Sequence, residues 1–388
     1  MQAELAINCN VLIADADLDN RLIIRQALIS AGFVYIDEAD NGESTLEKIL
    51  RDKPDLVIID AQLPNIDGFE ICKEIRANNN LKEDVILIMQ TGSEQPKDRE
   101  KAFDLGASDF VTKPINKKEL IARSLLHLEK KFMIKKLTKF TTRLELDLAA
   151  ISSFQKDILP SNDLLKDIQE KYNTDISSYY LPCDEIGGDF WGIQAISKTK
   201  YAIYNVDFSG HGILSAINTF RLQTILHGNS YLYSLEPNKF LEDVSQKLHK
   251  ILPKGNFATM FYGIIDTEND IMNYSTSACP SPIVISRDKE FEILSGEGIP
   301  LGAFSLSKYK NKQIKFSKGD LLFIYSDALI ETENMDGAFM TEEQISQMIS
   351  EQRNNSCEQI KEKIIKMYNN WSSGKPPKDD LTFILISR

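Results

Sequence analysis

Four short acidic motifs punctuate the second half of this 388-residue chain: Gly187-Gly188-Asp189-Phe190, Asp207-Phe208-Ser209-Gly210-His211-Gly212, Ser326-Asp327-Ala328 and Asp379-Asp380-Leu381-Thr382. Each lies at the abrupt end of an apolar run, and none contains Lys or Arg. Carboxylates collected in one cleft without a cationic partner repel one another unless a divalent metal neutralises them. Oxygen-only ligation suits Mn2+ or Mg2+, and two such ions about 3.5–4 Å apart can share a hydroxide poised for in-line attack on phosphorus. Glycines 187, 188, 210 and 212 let the backbone come close to ions and phosphate. A second set lies in the first half, where Asp15, Asp60, Thr91 and Lys113 each follow or close a short apolar run.

The elements that must position the first set alternate short strand-like runs with amphipathic helical segments along residues 10–128. The runs are Val11 to Ala14, Val34 to Ile36, Leu56 to Ile59, Val85 to Met89 and Asp109 to Val111. That alternation predicts an α/β doubly wound parallel sheet, in which ligands gather at the carboxyl ends of strands. With Leu63-Pro64 and Asp67-Gly68 at matching spacing, residues 8–128 resemble the flavodoxin-like receiver domain of two-component response regulators. The resemblance implies that Asp60 is the phosphorylation site, that Asp15 and Asp60 hold one Mg2+, that Thr91 is the switch hydroxyl and that Lys113 contacts phosphate. It also implies a cognate histidine kinase. One departure bears on the metal: Ala16 stands where the family carries a second pocket acid, leaving Asp17 as the alternative ligand. A receiver that acts as a binding module without phosphate stays open on this ground.

From Lys117 to Leu159 there is no Gly or Pro, which predicts a long connecting helix ending before Pro160. Leu137, Phe140, Leu144, Ile151, Phe154 and Ile158 follow a heptad seam interrupted by Asp147. The seam predicts a coiled-coil linker over residues 129–160 and a homodimer formed through it, with packing on a domain of the same chain as the alternative.

Beyond Pro160 the pattern changes to paired strand-like runs with intervening helices, as in an antiparallel α+β sandwich. The acidic motifs, together with Phe257-Ala258-Thr259-Met260-Phe261-Tyr262-Gly263, Gly298-Ile299-Pro300-Leu301-Gly302 and Gly319-Asp320, resemble the SpoIIE-like branch of the PPM metal-dependent serine/threonine phosphatases. The resemblance covers about residues 150–388, with the domain itself at 161–388. It implies a PPM-type sandwich of antiparallel sheets flanked by helices, with two Mn2+ or Mg2+ ions. By the same resemblance Asp207 would bridge both ions, Asp189 and the Phe208 carbonyl would hold one, and Asp327 and Asp379 would hold the other, with Asp380 beside them in a supporting role. These are the expected catalytic and metal residues. The departures are Gly192 for an acid, Ala278-Cys279 for a Gly-His pair, and Ala328 for a Gly. His211, between two glycines, is either an acid or ligand or a turn-former.

Composition bounds the rest. A net charge of −12 with no long basic block argues against nucleic acid as a partner. No apolar run approaches the roughly 20 residues of a membrane span, and the first ten residues lack a secretory pattern, so the expectation is a cytoplasmic protein with no membrane partner. Five scattered cysteines without paired spacing read as free thiols in or near cores, not as a zinc site or disulfide framework. Two functions stand on these residues. One is a response regulator whose output is a protein phosphatase acting on phosphoserine or phosphothreonine of a partner. By resemblance, that partner is a STAS-type anti-sigma-factor antagonist in a partner-switching pathway. The alternative is a pseudophosphatase adaptor that binds a partner under receiver control without hydrolysis.

Overall fold

The computed structural model describes residues 8–388 apart from 79–80, 82–83, 93–95, 211, 229–232, 234–235 and 289. Its contacts divide the chain into two compact units, between Leu144 and Glu145.

The first unit runs β1 (Asn10–Ala14), α1 (Leu18–Ser30), β2 (Tyr35–Ala39), α2 (Gly42–Asp52), β3 (Leu56–Asp60), α3 (Gly68–Ala77), β4 (Ile86–Thr91), α4 (Pro96–Asp104) and β5 (Asp109–Thr112). All pairings are parallel in the order β2-β1-β3-β4-β5, the doubly wound arrangement that the alternating pattern predicts. Such a sheet is covered on both faces, which is why its central strands read as unbroken apolar runs. Leu12, Val57, Ile59, Leu87 and Met89 pack on one side, and Val11, Ile13, Leu56, Ile58 and Ile88 on the other. Asp17, Asn41 and Asp67 start α1, α2 and α3 by accepting a main-chain N–H in the first turn. The order of strands leaves Asp15, Asp60, Thr91 and Lys113 at the same sheet edge, beyond or at the ends of β1, β3, β4 and β5.

Helix α5 (Lys117–Ile158) is continuous over 42 residues, with no helix breaker inside it and Pro160 just past its end. The seam residues Leu137, Phe140 and Phe154 are each 63% exposed.

The second unit continues with α6 (Asn162–Tyr172), β6 (Asp175–Leu181), β7 (Phe190–Ala195), β8 (Lys200–Phe208), α7 (Ile213–His227), α8 (Pro237–Ile251), β9 (Ala258–Asp266) and β10 (Ile271–Ser277). There follow β11 (Ile283–Ile285), β12 (Phe291–Ile293), β13 (Lys312–Lys315), β14 (Leu321–Tyr325), α9 (Ala328–Glu331), α10 (Glu342–Glu351), α11 (Cys357–Trp371) and β15 (Leu381–Ser387). Two five-stranded sheets form, β13-β10-β9-β8-β7 and β12-β11-β14-β15-β6, antiparallel throughout. Strands of both sheets alternate, so each sheet has two apolar faces to cover. The inner faces meet in a shared core that includes Trp191, Ile203 and Phe261 from one sheet and Leu322, Ile324 and Ile384 from the other. Outside, α7 and α8 cover the first sheet through Leu222, Phe240 and Val244, and α10 and α11 cover the second through Ile345, Ile360 and Ile364. Helices α10 and α11 each open on a capping box, Thr341 with Gln344 and Ser356 with Gln359. No helix among the described residues is long and apolar enough to cross a membrane.

Candidate active site

Register brings the four acidic motifs together. Strands β7 and β8 are antiparallel with Phe190 opposite Val206, so Asp189, just before β7, and Asp207, near the end of β8, lie at one end of the first sheet. Strands β14 and β15 are antiparallel with Tyr325 opposite Phe383, which puts Asp327 and the Asp379-Asp380 pair at one end of the second sheet. The two ends meet at one edge of the sandwich, as the charges report. Burial, then Asp327, Asp379 and Asp380, push the Asp207 carboxyl up to about 8. Burial, then Asp379 and Glu331, raise Asp327 to about 6. Asp189 is only 1% exposed, and burial followed by the charges of Asp207 and Asp380 holds its carboxyl well above the ordinary range.

Asp380 acts as an organiser of this end. Its Oδ1 accepts the Cys183 N–H at 2.9 Å and its Oδ2 accepts that of Gly188, so one carboxylate pins the segment that carries Asp189. A side chain at position 187 would collide with it, since a Cβ there would lie 2.4 Å from Asp380 Oδ2. The Ser326 hydroxyl donates to the Asp380 carbonyl at 2.7 Å and accepts the Thr382 N–H at 2.8 Å, tying the Asp327 turn to the start of β15.

Sequence reading passed over Gln155. This residue of α5 is 2% exposed, and its amide bonds Gly187 in both directions: Nε2 donates to the Gly187 carbonyl, and Oε1 accepts the Gly187 N–H at 3.0 Å. The end of the connecting helix thereby holds the Gly187-Gly188-Asp189 turn. The only sequence signal was its place in Phe154-Gln155-Lys156-Asp157-Ile158-Leu159-Pro160, where a buried polar residue interrupts an apolar segment.

The donor set fits a hard divalent cation. Asp189 Oδ2 is buried without a hydrogen-bond partner, and after burial the largest influence on each of Asp189, Asp207 and Asp327 is another carboxylate rather than Lys or Arg. Phe208 follows Asp207 at the end of β8, its N–H donating to the Gly188 carbonyl at 3.3 Å. His211 lies outside the described residues. Gly192 has a packing reason, because a Cβ there would lie 2.2 Å from the Tyr204 hydroxyl oxygen, which occupies that space.

All five cysteines are free thiols, in line with the expectation of unpaired cysteines in or near cores. Cys9, Cys72 and Cys357 are buried, but Cys183 is partly exposed, and its Sγ, Asp379 and Asp380 offer ligand atoms within 4.8 Å of one another. Spacing along the chain cannot reveal a cluster that closes over nearly two hundred residues.

In the first unit, Lys113 Nζ bridges Asp15 Oδ2 at 2.8 Å and Asp60 Oδ2 at 2.6 Å. Burial pulls the Lys113 ammonium down, but its bonds to Asp15 and Asp60 outweigh that and raise it. The Lys113-Pro114 peptide is cis, and the Lys113 N–H donates to the Thr91 carbonyl at 2.9 Å. Asp17 does not take the place of the missing second acid: it is exposed and caps α1, accepting the Asp19 N–H at 2.8 Å. Asp15 is buried just past β1, with Ala16 exposed beside it.

Comparison with known proteins gives two matches along the chain. The model of the response regulator receiver domain matches residues 11–124, and that of Stage II sporulation protein E (SpoIIE) matches residues 197–388. The phosphoserine phosphatase RsbP of Bacillus subtilis is 23% identical over 252 residues, 64% of this chain and 59% of its own length. The alkaline phosphatase synthesis transcriptional regulatory protein PhoP of Bacillus subtilis is 32% identical over 117 residues, 30% of this chain and 47% of its own. The chain spans about half the length of the curated relatives it matches. Among solved structures, the SiaA-PP2C domain of Pseudomonas aeruginosa superposes with a TM-score of 0.57 at 19% identity, covering 64% of this chain and 98% of that one, a likeness of fold.

Proposed function

We propose, from the premise that this chain joins a receiver domain of the response-regulator family to a SpoIIE-family domain of PPM type, that it is a receiver-controlled, metal-dependent protein phosphatase. Its substrate is a phosphoserine or phosphothreonine of a partner protein, and a STAS-type antagonist in a partner-switching pathway is the substrate we assign. The receiver occupies residues 8–128, the coiled-coil linker 129–160 and the phosphatase domain 161–388. The observation that carries the reading is the meeting of Asp189, Asp207, Asp327 and Asp379 at one end of two facing sheets, with the Asp207 carboxyl raised to about 8. Like charges are retained there against their own repulsion, which a site for cations explains.

Asp207 would bridge two Mn2+ or Mg2+ ions, Asp189 and the Phe208 carbonyl would serve one, and Asp327 and Asp379 the other. When bound, the ions supply a hydroxide for in-line attack and offset charge on the phosphoryl oxygens. The chain's own groups fix the geometry: Asp380 and Gln155 hold the turn before Asp189, and Ser326 holds the turn that presents Asp327. Glycines at 187 and 188 keep that turn close to Asp380 and to the Phe208 carbonyl.

At the receiver, Asp60 accepts a phosphoryl group from a cognate histidine kinase, with Asp15 and Asp60 holding one Mg2+ and Lys113 and Thr91 completing the site. Lys113 already bridges both carboxylates, so phosphorylation must rearrange that contact. The exposed seam of α5 supports a homodimer through the linker, and the reading places the protein in the cytoplasm.

The test is hydrolysis of an aryl phosphate and of a phosphorylated STAS protein by the full chain with Mn2+. Asp207→Asn is expected to abolish metal-dependent turnover while leaving the thermal unfolding transition in place. Equal rates in the two proteins would overturn the assignment, and metal-independent partner binding with no turnover would establish the adaptor instead.

A further inference from the structure

Strands β8 and β9 set Asp207 opposite Thr259 and Phe208 opposite Ala258. One step further on, Ser209 and Phe257 bond each other in both directions: the Ser209 N–H donates to the Phe257 carbonyl at 3.0 Å, and the Phe257 N–H donates to Ser209 Oγ at 3.0 Å. Phe257, itself exposed, is thereby held at the lip of the acidic site. From Phe257 the contacts run outward without a break. Ala258 exchanges main-chain hydrogen bonds with Leu301, and the Gly302 N–H donates to Ser245 Oγ at 3.1 Å, which ties the loop carrying Phe304 to α8. Arg221 of α7 donates to the carbonyl of Ile251, the last residue of α8, at 3.3 Å. Leu214, Ile217 and Arg221 recur at helical spacing on one face of α7, the helix that follows the Asp207 loop. Ile213, Leu214, Ile217, Ile251, Phe257 and Phe304 thus make one apolar rim, and each is between 37% and 62% exposed. A contiguous set of large apolar side chains in water, bordered by polar residues, marks a surface that a partner covers.

Charge says which partner. The three stretches that build this rim, residues 208–235, 247–265 and 298–318, contain no Asp or Glu, in a chain whose net charge is −12. Lys247 and Lys308 are neutralised by Asp243 and Glu242 of α8. Lys250, Lys254 and Lys310 are exposed and pair with no carboxylate among the described residues. An acidic chain repels an anionic protein as a whole, so a local patch of cations is what brings one in and orients it. We propose that this rim is the docking surface for the phosphoprotein substrate, and that the substrate meets it with an apolar patch bordered by Asp and Glu, next to its phosphorylated residue. The identity of the occupant rests on the phosphatase reading, because the rim adjoins the acids that would hold the metal ions and a protein delivering a phosphate to them must lie across it.

The experiment uses the full chain with Mn2+ and compares a phosphorylated STAS protein with an aryl phosphate, which is too small to span the rim. Two double variants, Leu214→Ser with Ile217→Ser and Lys250→Glu with Lys254→Glu, are each expected to raise KM for the phosphorylated protein about tenfold, the scale on which losing central interface side chains acts. Kinetics on the aryl phosphate should stay at wild-type values in both. The wild-type kcat/KM for the protein should fall with added salt, and the lysine variant should lose that dependence. A KM for the protein unchanged in either variant overturns the proposal, as does an equal loss of aryl phosphate turnover, which would place these residues in the catalytic machinery. A change from dimer to monomer in the Leu214 and Ile217 variant with KM unchanged gives the face to a second copy instead. Aryl phosphate turnover without binding or turnover of the phosphorylated protein overturns the docking surface and leaves the metal site standing. Should the wild-type chain turn over neither substrate, the phosphatase reading fails, and calorimetric binding of the phosphorylated protein decides the surface by itself: weakening by the same substitutions sustains it, and equal affinity or no binding overturns it.

Discussion

Gln155 offers the sharpest test of how the connecting helix meets the site. Its truncation in Gln155→Ala removes both bonds to Gly187 and leaves a buried N–H and C=O to find other partners. An unsatisfied buried group costs about 1–3 kcal/mol, so for two groups about 2–6 kcal/mol is at stake before water relieves part of it. The strain falls on the turn that carries Asp189, and the cheapest relief is for that turn to move, which degrades a predicted metal ligand. Since about 1.4 kcal/mol is a factor of ten in affinity, the expectation is a rise of about 10–100-fold in the Mn2+ concentration giving half-maximal hydrolysis. Turnover at saturating Mn2+ should recover much more than turnover at low Mn2+. Gln155→Glu keeps an acceptor for the Gly187 N–H but loses the donor to its carbonyl, and should fall between wild type and alanine. The assay is aryl phosphate hydrolysis across a Mn2+ series, paired with calorimetric Mn2+ titration and a thermal melt of each variant. Wild-type Mn2+ dependence in Gln155→Ala, with an unchanged melt, would refute the reasoning.

Other expectations follow from the same geometry. Asp207 and Asp327, at about 8 and about 6 against an ordinary 3.8, keep protons in the folded state that the unfolded chain has lost. Their contribution is full below the ordinary carboxylate range and is lost as pH rises through about 6 and about 8, so the metal-free chain should melt lower at about pH 8.5 than at about pH 5.5. Saturating Mn2+ should abolish that decline in a calorimetric scan, and a metal-free melt that climbs over this window would contradict the clustering of the acids. Replacing Leu137 and Phe140 with Glu should leave the far-ultraviolet spectrum unchanged but shift the chain from dimer to monomer in sedimentation; a dimer that persists removes the linker from the interface. Asp60→Asn should abolish labelling by a small-molecule phosphodonor, and Lys113→Ala should lower it sharply. Labelling retained in Asp60→Asn would move the phosphoacceptor elsewhere.

The parts of this molecule legible in its sequence are those where one local signal suffices. An unbroken apolar run such as Leu56 to Ile59 announces a strand buried on both faces, and an acid at its end announces a candidate ligand. The doubly wound first unit and the antiparallel second unit follow from such signals. The contribution of Gln155 was not legible, because a lone amide in a helix carries no chemical signature until its neighbour is known. Asp380 read as a residue beside the metal ligands, and what the sequence could not show is that its carboxylate accepts the main-chain N–H groups of residues 183 and 188. Asp17 was ambiguous between pocket and cap, and in the structure it caps the first turn of α1, accepting the Asp19 N–H. The neighbours of Cys183 escaped because Asp380, which accepts its N–H, lies nearly two hundred residues away along the chain.

The acids come in equal shares from the two halves of the sandwich, Asp189 and Asp207 from one sheet and Asp327 and Asp379 from the other. An ion bound between them would work as a rivet at one rim, holding two slabs that elsewhere are joined chiefly by oily contact. Such contact resists separation but permits sliding, so the rivet governs shear. Amide exchange at the rim ends of β8 and β15 should thus slow on loading with manganese far more than exchange at their opposite ends.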